Sequence, residues 1–163
     1  MGDVQLRPFE PRDTAGVIDL ILGIQREEFG IAITSDQQPD LHAIPDFYQR
    51  GRGAFMVAVD DGRIVGTAGL KDIDNRQAAL RKMFVAATHR GRDKGVASLL
   101  LEGLIEGAAK AGVREIFLGT TDLFLAAHRF YEKNGFALIA SEALPESFPR
   151  MAVDTLFYHR RLD

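Results

Sequence analysis

The run Arg90-Gly91-Arg92-Asp93-Lys94-Gly95-Val96-Ala97-Ser98 joins an apolar strand-like stretch to a helix-like one through two glycines and three cations, a combination suited to capturing phosphate. Gly91 and Gly95 have no Cβ to hold an anion off the backbone. The first N–H groups of a helix are unpaired donors at the positive end of its dipole. Arg90, Arg92 and Lys94 add charge around them. The loop has neither the Gly-Lys-Ser/Thr ending of a P-loop nor the G-x-G-x-x-G of a dinucleotide site, so a different phosphate ligand is expected.

The elements on either side must hold that loop. Val4–Arg7 alternates as a strand, and Asp13 is placed to cap a helix carrying Val17, Ile18, Leu20, Ile21, Leu22 and Ile24. A second short helix is expected from about Asp40 to Arg50. Ala54–Val59 and Arg63–Leu70, separated by Asp60-Asp61-Gly62, read as a hairpin. After a turn at Asn75-Arg76, Ala79–Val85 is a strand that delivers the chain to the loop. Gly95–Ala111 is expected as a heavily buried helix, with Gly103 and Gly107 allowing it to lie close on a sheet and Gly112 ending it. Glu115–Thr120 is a short apolar strand reached by a parallel crossover. Leu123–Asn134 is a helix stopped by Gly135, and Phe136–Ala140 and Met151–Tyr158 are the last strands. The order β-α-α-β-β-β-α-β-α-β-β, without repeats or linkers, predicts an α/β fold with a mixed sheet, as a single domain over residues 1–163.

Composition narrows the chemistry. The chain has 163 residues and no cysteine, which excludes disulfides, thiolate nucleophiles and Cys-ligated zinc. His42, His89, His128 and His159 lack the i, i+4 spacing of a helical metal pair, so no metal is expected. A net charge of −3 argues against a general nucleic-acid binder, whose surface must be broadly basic. No apolar run approaches the ~20 residues that span a bilayer, and the start lacks a signal-type apolar stretch, so no membrane partner and a cytoplasmic location are expected.

In this order, and in two motifs, the chain resembles the GNAT superfamily of acyl-CoA N-acyltransferases. Arg92-Asp93-Lys94-Gly95-Val96-Ala97 matches the coenzyme motif Gln/Arg-x-x-Gly-x-Gly/Ala directly after Met83-Phe84-Val85. Phe130-Tyr131-Glu132-Lys133-Asn134-Gly135-Phe136 matches the aromatic-Tyr pair shortly before Gly-Phe. One departure stands out: Phe124 occupies the position, seven residues before the tyrosine, where the family often has asparagine.

The resemblance implies a three-layer α/β/α sandwich that binds acetyl-CoA and transfers its acetyl group to the amine of a small molecule or protein. It places the pyrophosphate on the backbone of Arg92 to Ala97, with Arg90, Gly91 and Ser98 beside it. The pantetheine arm runs along Met83, Phe84 and Val85, with a backbone N–H of Val85 or Phe84 polarising the thioester carbonyl. Tyr131 hydrogen-bonds the coenzyme sulfur. In the family the segment from Glu27 to Asp46 borders the acceptor; here it carries Glu27, Glu28, Asp36, Asp40 and Asp46 without a lysine or arginine, which would suit a cationic amine, with Glu28 as base or amine anchor. The final strand could pair edge to edge in a homodimer. Phe124 keeps open a second reading, an acyl-CoA-binding regulatory or interaction module without transfer activity.

Overall fold

The computed structural model describes residues 4–91, 95–122, 124–151 and 154–162. Its elements are β1 (Gln5–Pro8), α1 (Thr14–Gly23), α2 (Ile44–Phe47), β2 (Ala54–Asp60), β3 (Arg63–Asp72), β4 (Gln77–Val85), α3 (Val96–Lys110), β5 (Glu115–Thr120), α4 (Leu125–Lys133), β6 (Ala137–Ile139) and β7 (Leu156–Arg161). The seven strands form one sheet in the order β1-β2-β3-β4-β5-β7-β6. All neighbours are antiparallel except β4 and β5, which the α3 crossover makes parallel.

Alternation along the strands divides the core between two faces. One face carries Ala58, Leu80, Ile116 and Tyr158 against Leu100, Leu104 and Tyr131. The other carries Phe55 and Val57 against Val17, Ile21 and Ile44. Farther along that second face, Ala79, Phe117 and Phe157 pack on Leu144 and Phe148 from the connection between β6 and β7. Helices α3 and α4 thus cover one face, and α1 and α2 the other.

The hairpin of β2 and β3 turns through Asp61 at φ +51° and Gly62 at φ +77°, the pair of positive φ values that matches the twist of a two-residue hairpin. Gly135, at φ +87°, ends α4 in the left-handed conformation. Several expectations change. The helix expected over Asp40–Arg50 is a 3₁₀ turn, Pro39–His42, followed by the single turn of α2, because Pro39 and Pro45 each start a new segment. Helix α3 is buried on one side only. A Cβ on Gly107 would meet nothing, and one on Gly103 only Leu6 at 3.9 Å; the close approach comes from Gly66 of β3, where a Cβ would come within 2.9 Å of Leu100 and 3.2 Å of Val96. Last, β7 is bonded on both sides, by β5 and β6, so an edge-to-edge dimer through the final strand has no free edge to use; the edges are β1 and β6.

Candidate active site

The pairing of β4 with β5 stops at Ala79 with Phe117, while β4 runs on to Val85 and β5 to Thr120. Beyond that point the two parallel strands part, and the edge of β4 that faced β5 opens. On its other side β4 stays paired with β3, Thr67 opposite Phe84 and Gly66 opposite Val85. The Ala86 N–H donates to the Val65 carbonyl at 2.8 Å, which makes 65 with 86 a hydrogen-bonded pair. By antiparallel alternation Thr67 and Phe84 bond each other, while Val85 turns its N–H and C=O away from β3 into the opening. The Val85 carbonyl accepts a hydrogen bond there from Arg90 Nε at 2.8 Å. Of the two amides expected to polarise a carbonyl, that of Phe84 is committed to the sheet and that of Val85 faces the gap.

Upstream of this edge the ladder slips between Thr67 and Gly69, and Lys82 takes φ +57°. This β-bulge puts two consecutive side chains on one face. Both go to the α1 and α2 side. The Arg81 guanidinium lies 5.4 Å from the Phe47 ring centroid and donates to Met151 Sδ at 3.6 Å. Lys82 Nζ donates to Gln38 Oε1 and stands 3.8 Å from Asp40. Lys71 Nζ, from β3, sits 4.4 Å over the same Phe47 ring. Burial lowers the Lys82 ammonium pKa from its ordinary value, and Asp40 opposes that shift.

Asp40 accepts from Tyr48 Oη at 2.6 Å, and Gln38 exchanges amide hydrogen bonds with Gln25 at 2.9 and 3.2 Å. Of the five carboxylates expected to suit a cationic amine, Asp40 is therefore engaged by Tyr48 and Lys82 inside the protein. Strand cations Lys71, Arg81 and Lys82 stand on the face that the helix-side sequence had left acidic. Residue order alone hid them, although Arg81-Lys82 inside an apolar strand breaks its alternation, and that break is the signal of the bulge.

The phosphate loop is described at its ends. Gly91 has φ +106° and Gly95 φ +61°, with Gly95 as the N-cap of α3. The amides of Val96, Ala97 and Ser98 open that helix, while Val96 is itself buried in the core. Arg92, Asp93 and Lys94 lie outside the described residues. Arg90 forks onto Glu28, its Nη1 on Oε1 and its Nη2 on Oε2 at 2.9 Å. Both Glu28 oxygens thus face a guanidinium. The pair ties the π-helical turn Ile24–Glu28, which continues α1, to the end of β4.

Tyr131 is 7% exposed among Phe130, Phe136 and Tyr158, in the same core cluster as Val85 and Met83. Burial alone raises its phenol pKa above the ordinary value. Among the described residues none takes a hydrogen bond from its hydroxyl. Phe124 packs edge-on against Phe29, ring centroids 4.5 Å apart, joining the start of α4 to the end of the α1 segment. Asp154 lies against Gly119 of β5, where any Cβ would collide with its carboxylate. Desolvation raises its pKa, with a Met151 backbone hydrogen bond and the charge of Arg81 opposing. Among the described residues no helix is long and apolar enough to cross a membrane.

The family described as Acetyltransferase (GNAT) matches residues 18–136. A crystal structure of an acetyltransferase of the GNAT family from Staphylococcus aureus Mu50 superposes with a TM-score of 0.94 at 38% identity, covering 99% of this chain and 100% of that one. An N-acetylaspartate synthetase of Danio rerio is 34% identical over 127 residues, 75% of this chain and 44% of the relative. An uncharacterized N-acetyltransferase of Mycobacterium bovis is 36% identical over 87 residues, 53% of this chain and 54% of the relative. The chain thus spans about half the length of these two curated relatives.

Proposed function

The chain belongs to the acetyltransferase (GNAT) family, and on that premise we propose that it moves an acetyl group from acetyl-CoA to the amine of a small acceptor that carries a carboxylate. The observation that carries the first half is the opened edge of β4. A pantetheine arm, with its amides, adds to such an edge as an extra strand. Met83, Phe84 and Val85 line that path, and the thioester carbonyl takes its hydrogen bond from the Val85 N–H. The amides of Val96, Ala97 and Ser98, which open α3, receive the pyrophosphate, where an anion meets unpaired donors and the helix dipole.

Transfer then needs a neutral amine, a donor for the oxyanion and relief for the leaving thiolate. Val85 supplies the donor. Tyr131 supplies the relief: a phenol whose pKa is raised keeps its proton, so it donates a hydrogen bond to the sulfur and does not surrender the proton outright. The acceptor half rests on Lys71 and Arg81, which flank Phe47 on the α2 side of the sheet. They provide counter-charge for a carboxylate, and the relative named N-acetylaspartate synthetase bears a product name with carboxylates of that kind.

The test is thiol release from acetyl-CoA over a panel of amines, corrected for hydrolysis. Amino acids such as L-aspartate are expected to drive release, and uncharged or polycationic amines to do so far less. Coenzyme binding with no acceptor-dependent thiol would turn the reading to a binding module. Release driven by polyamines over amino acids would remove the carboxylate from it.

A further inference from the structure

Ala79 and Phe117 are the last facing residues of β4 and β5. Two residues past each stand Arg81 and Gly119, on opposite banks of the opening where the strands part. Both face the α1 and α2 side. Gly69, which pairs with Arg81, lies under Phe55 and Tyr48, and Gly119 follows the alternation of Phe117 and pairs with Phe157. Because Gly119 has no side chain, the Asp154 carboxylate occupies the space where one would be. The result is a carboxylate and a guanidinium facing each other across the cleft that an acceptor must enter. They do not close into an ion pair among the described residues; Arg81 turns to Phe47 and Met151.

We propose that Asp154 takes the proton from the acceptor's ammonium group, directly or through one water, with Arg81 opposite holding the acceptor's carboxylate. This rests on the acetyl-transfer reading above. An α-amino acid carries its ammonium and carboxylate close together, and so spans a gap with one charge on each bank. Asp154 removes one proton from R–NH₃⁺ to give R–NH₂. The nitrogen lone pair forms the N–C bond at the thioester carbon. The C–S bond breaks with its electron pair on sulfur, and the second nitrogen proton passes to the thiolate, giving coenzyme A and the acetamide. Asp154 returns its proton to solvent.

The groups that set its proton affinity come from three places. Gly119 of β5 packs against it and adds no charge, Met151 supplies a backbone hydrogen bond, and β4 supplies the Arg81 cation. A carboxyl at its ordinary pKa near ~3.9 is a feeble base toward an ammonium ion, and desolvation moves it in the useful direction.

Asp154→Asn preserves shape and removes the base. With L-aspartate as the acceptor probe, its kcat at pH 7 should fall by about 100-fold while the KM for acetyl-CoA stays within about twofold. The deficit should shrink as pH rises toward the acceptor's own ammonium pKa, since solvent then delivers the free amine. A deficit equal at all pH values, or a kcat within about twofold of wild type, would overturn the role of Asp154. Thermal stabilisation of the variant by acetyl-CoA, equal to that of wild type, shows that it is folded. If wild type transfers to no amino acid at all, the proposed acceptor class falls, and this role falls with it; wild-type transfer with an unchanged Asp154→Asn profile sinks the present inference alone.

Discussion

Burial pushes the Tyr131 phenol upward because the phenolate loses water among Phe130, Phe136 and Tyr158. A thiol near pKa ~8.5 is already the stronger acid beside an unperturbed phenol near ~10, and burial widens the difference. Full proton transfer to the thiolate is therefore uphill, and a hydrogen bond that strengthens as charge gathers on sulfur is the contribution left to the residue. Such a bond acts more on the transition state than on bound coenzyme. Tyr131→Phe is expected to lower kcat by about 10- to 100-fold, with a smaller change in the KM for acetyl-CoA. Steady-state kinetics check it, and an unchanged kcat removes the hydroxyl from the reaction. Glu28 makes the opposite case. The resemblance offers it as base or amine anchor, and in the structure each of its oxygens accepts from the Arg90 guanidinium, which links the α1 segment to the end of β4.

At the scale of elements, turn chemistry and hydrophobic alternation made much of the sheet legible. Asp61-Gly62 signals its hairpin, the helix-length gap between Val85 and Glu115 demands a parallel crossover, and Gly135 ends α4. Three features were hidden for physical reasons. Lys82 at φ +57° is a non-glycine residue in a left-handed conformation, which tertiary pairing imposes and local propensity disfavours. The insertion of β7 between β5 and β6 is a long-range pairing choice that no local pattern records. The position of Asp154 over Gly119 needs the fold itself. Gly103 and Gly107 misled because helix glycines look like points of close approach, whereas the glycine that admits α3 is Gly66 in β3. Gly66→Ala puts a methyl group against Leu100, Val96 and Ala58, all buried. Overpacking there should cost about 1–3 kcal/mol, read as a lower denaturation midpoint at unchanged slope; a neutral result would mean that α3 shifts freely on the sheet.

For the molecule as a whole, a net charge of −3 coexists with Lys71, Arg81 and Lys82 gathered on one face of the sheet. Stability depends on charge placement elsewhere too. Arg7 on β1 grips Asp13 through two hydrogen bonds, 2.7 and 2.8 Å, and the Glu10 N–H donates to the same carboxylate at 2.9 Å. Asp13 is 6% exposed, and the Arg7 hydrogen bonds, ahead of the Glu10 amide, hold its pKa below the ordinary value despite burial. The folded pKa therefore lies below the unfolded one. The carboxylate's contribution is complete above the ordinary aspartate pKa, and it is lost as pH falls through the depressed folded value. Asp13→Asn should cost about 1–3 kcal/mol at pH 7, the range for hydrogen bonds to a charged group. For a chain of this length that is a drop of about 2–4 °C in Tm per kcal/mol. Measured by thermal unfolding down to about pH 2, the gap between variant and wild type should narrow as the native carboxylate takes up its proton. A gap that stays constant across that range would mean that the substitution costs shape rather than charge, and that the Arg7 fork does not anchor the first strand to α1 electrostatically.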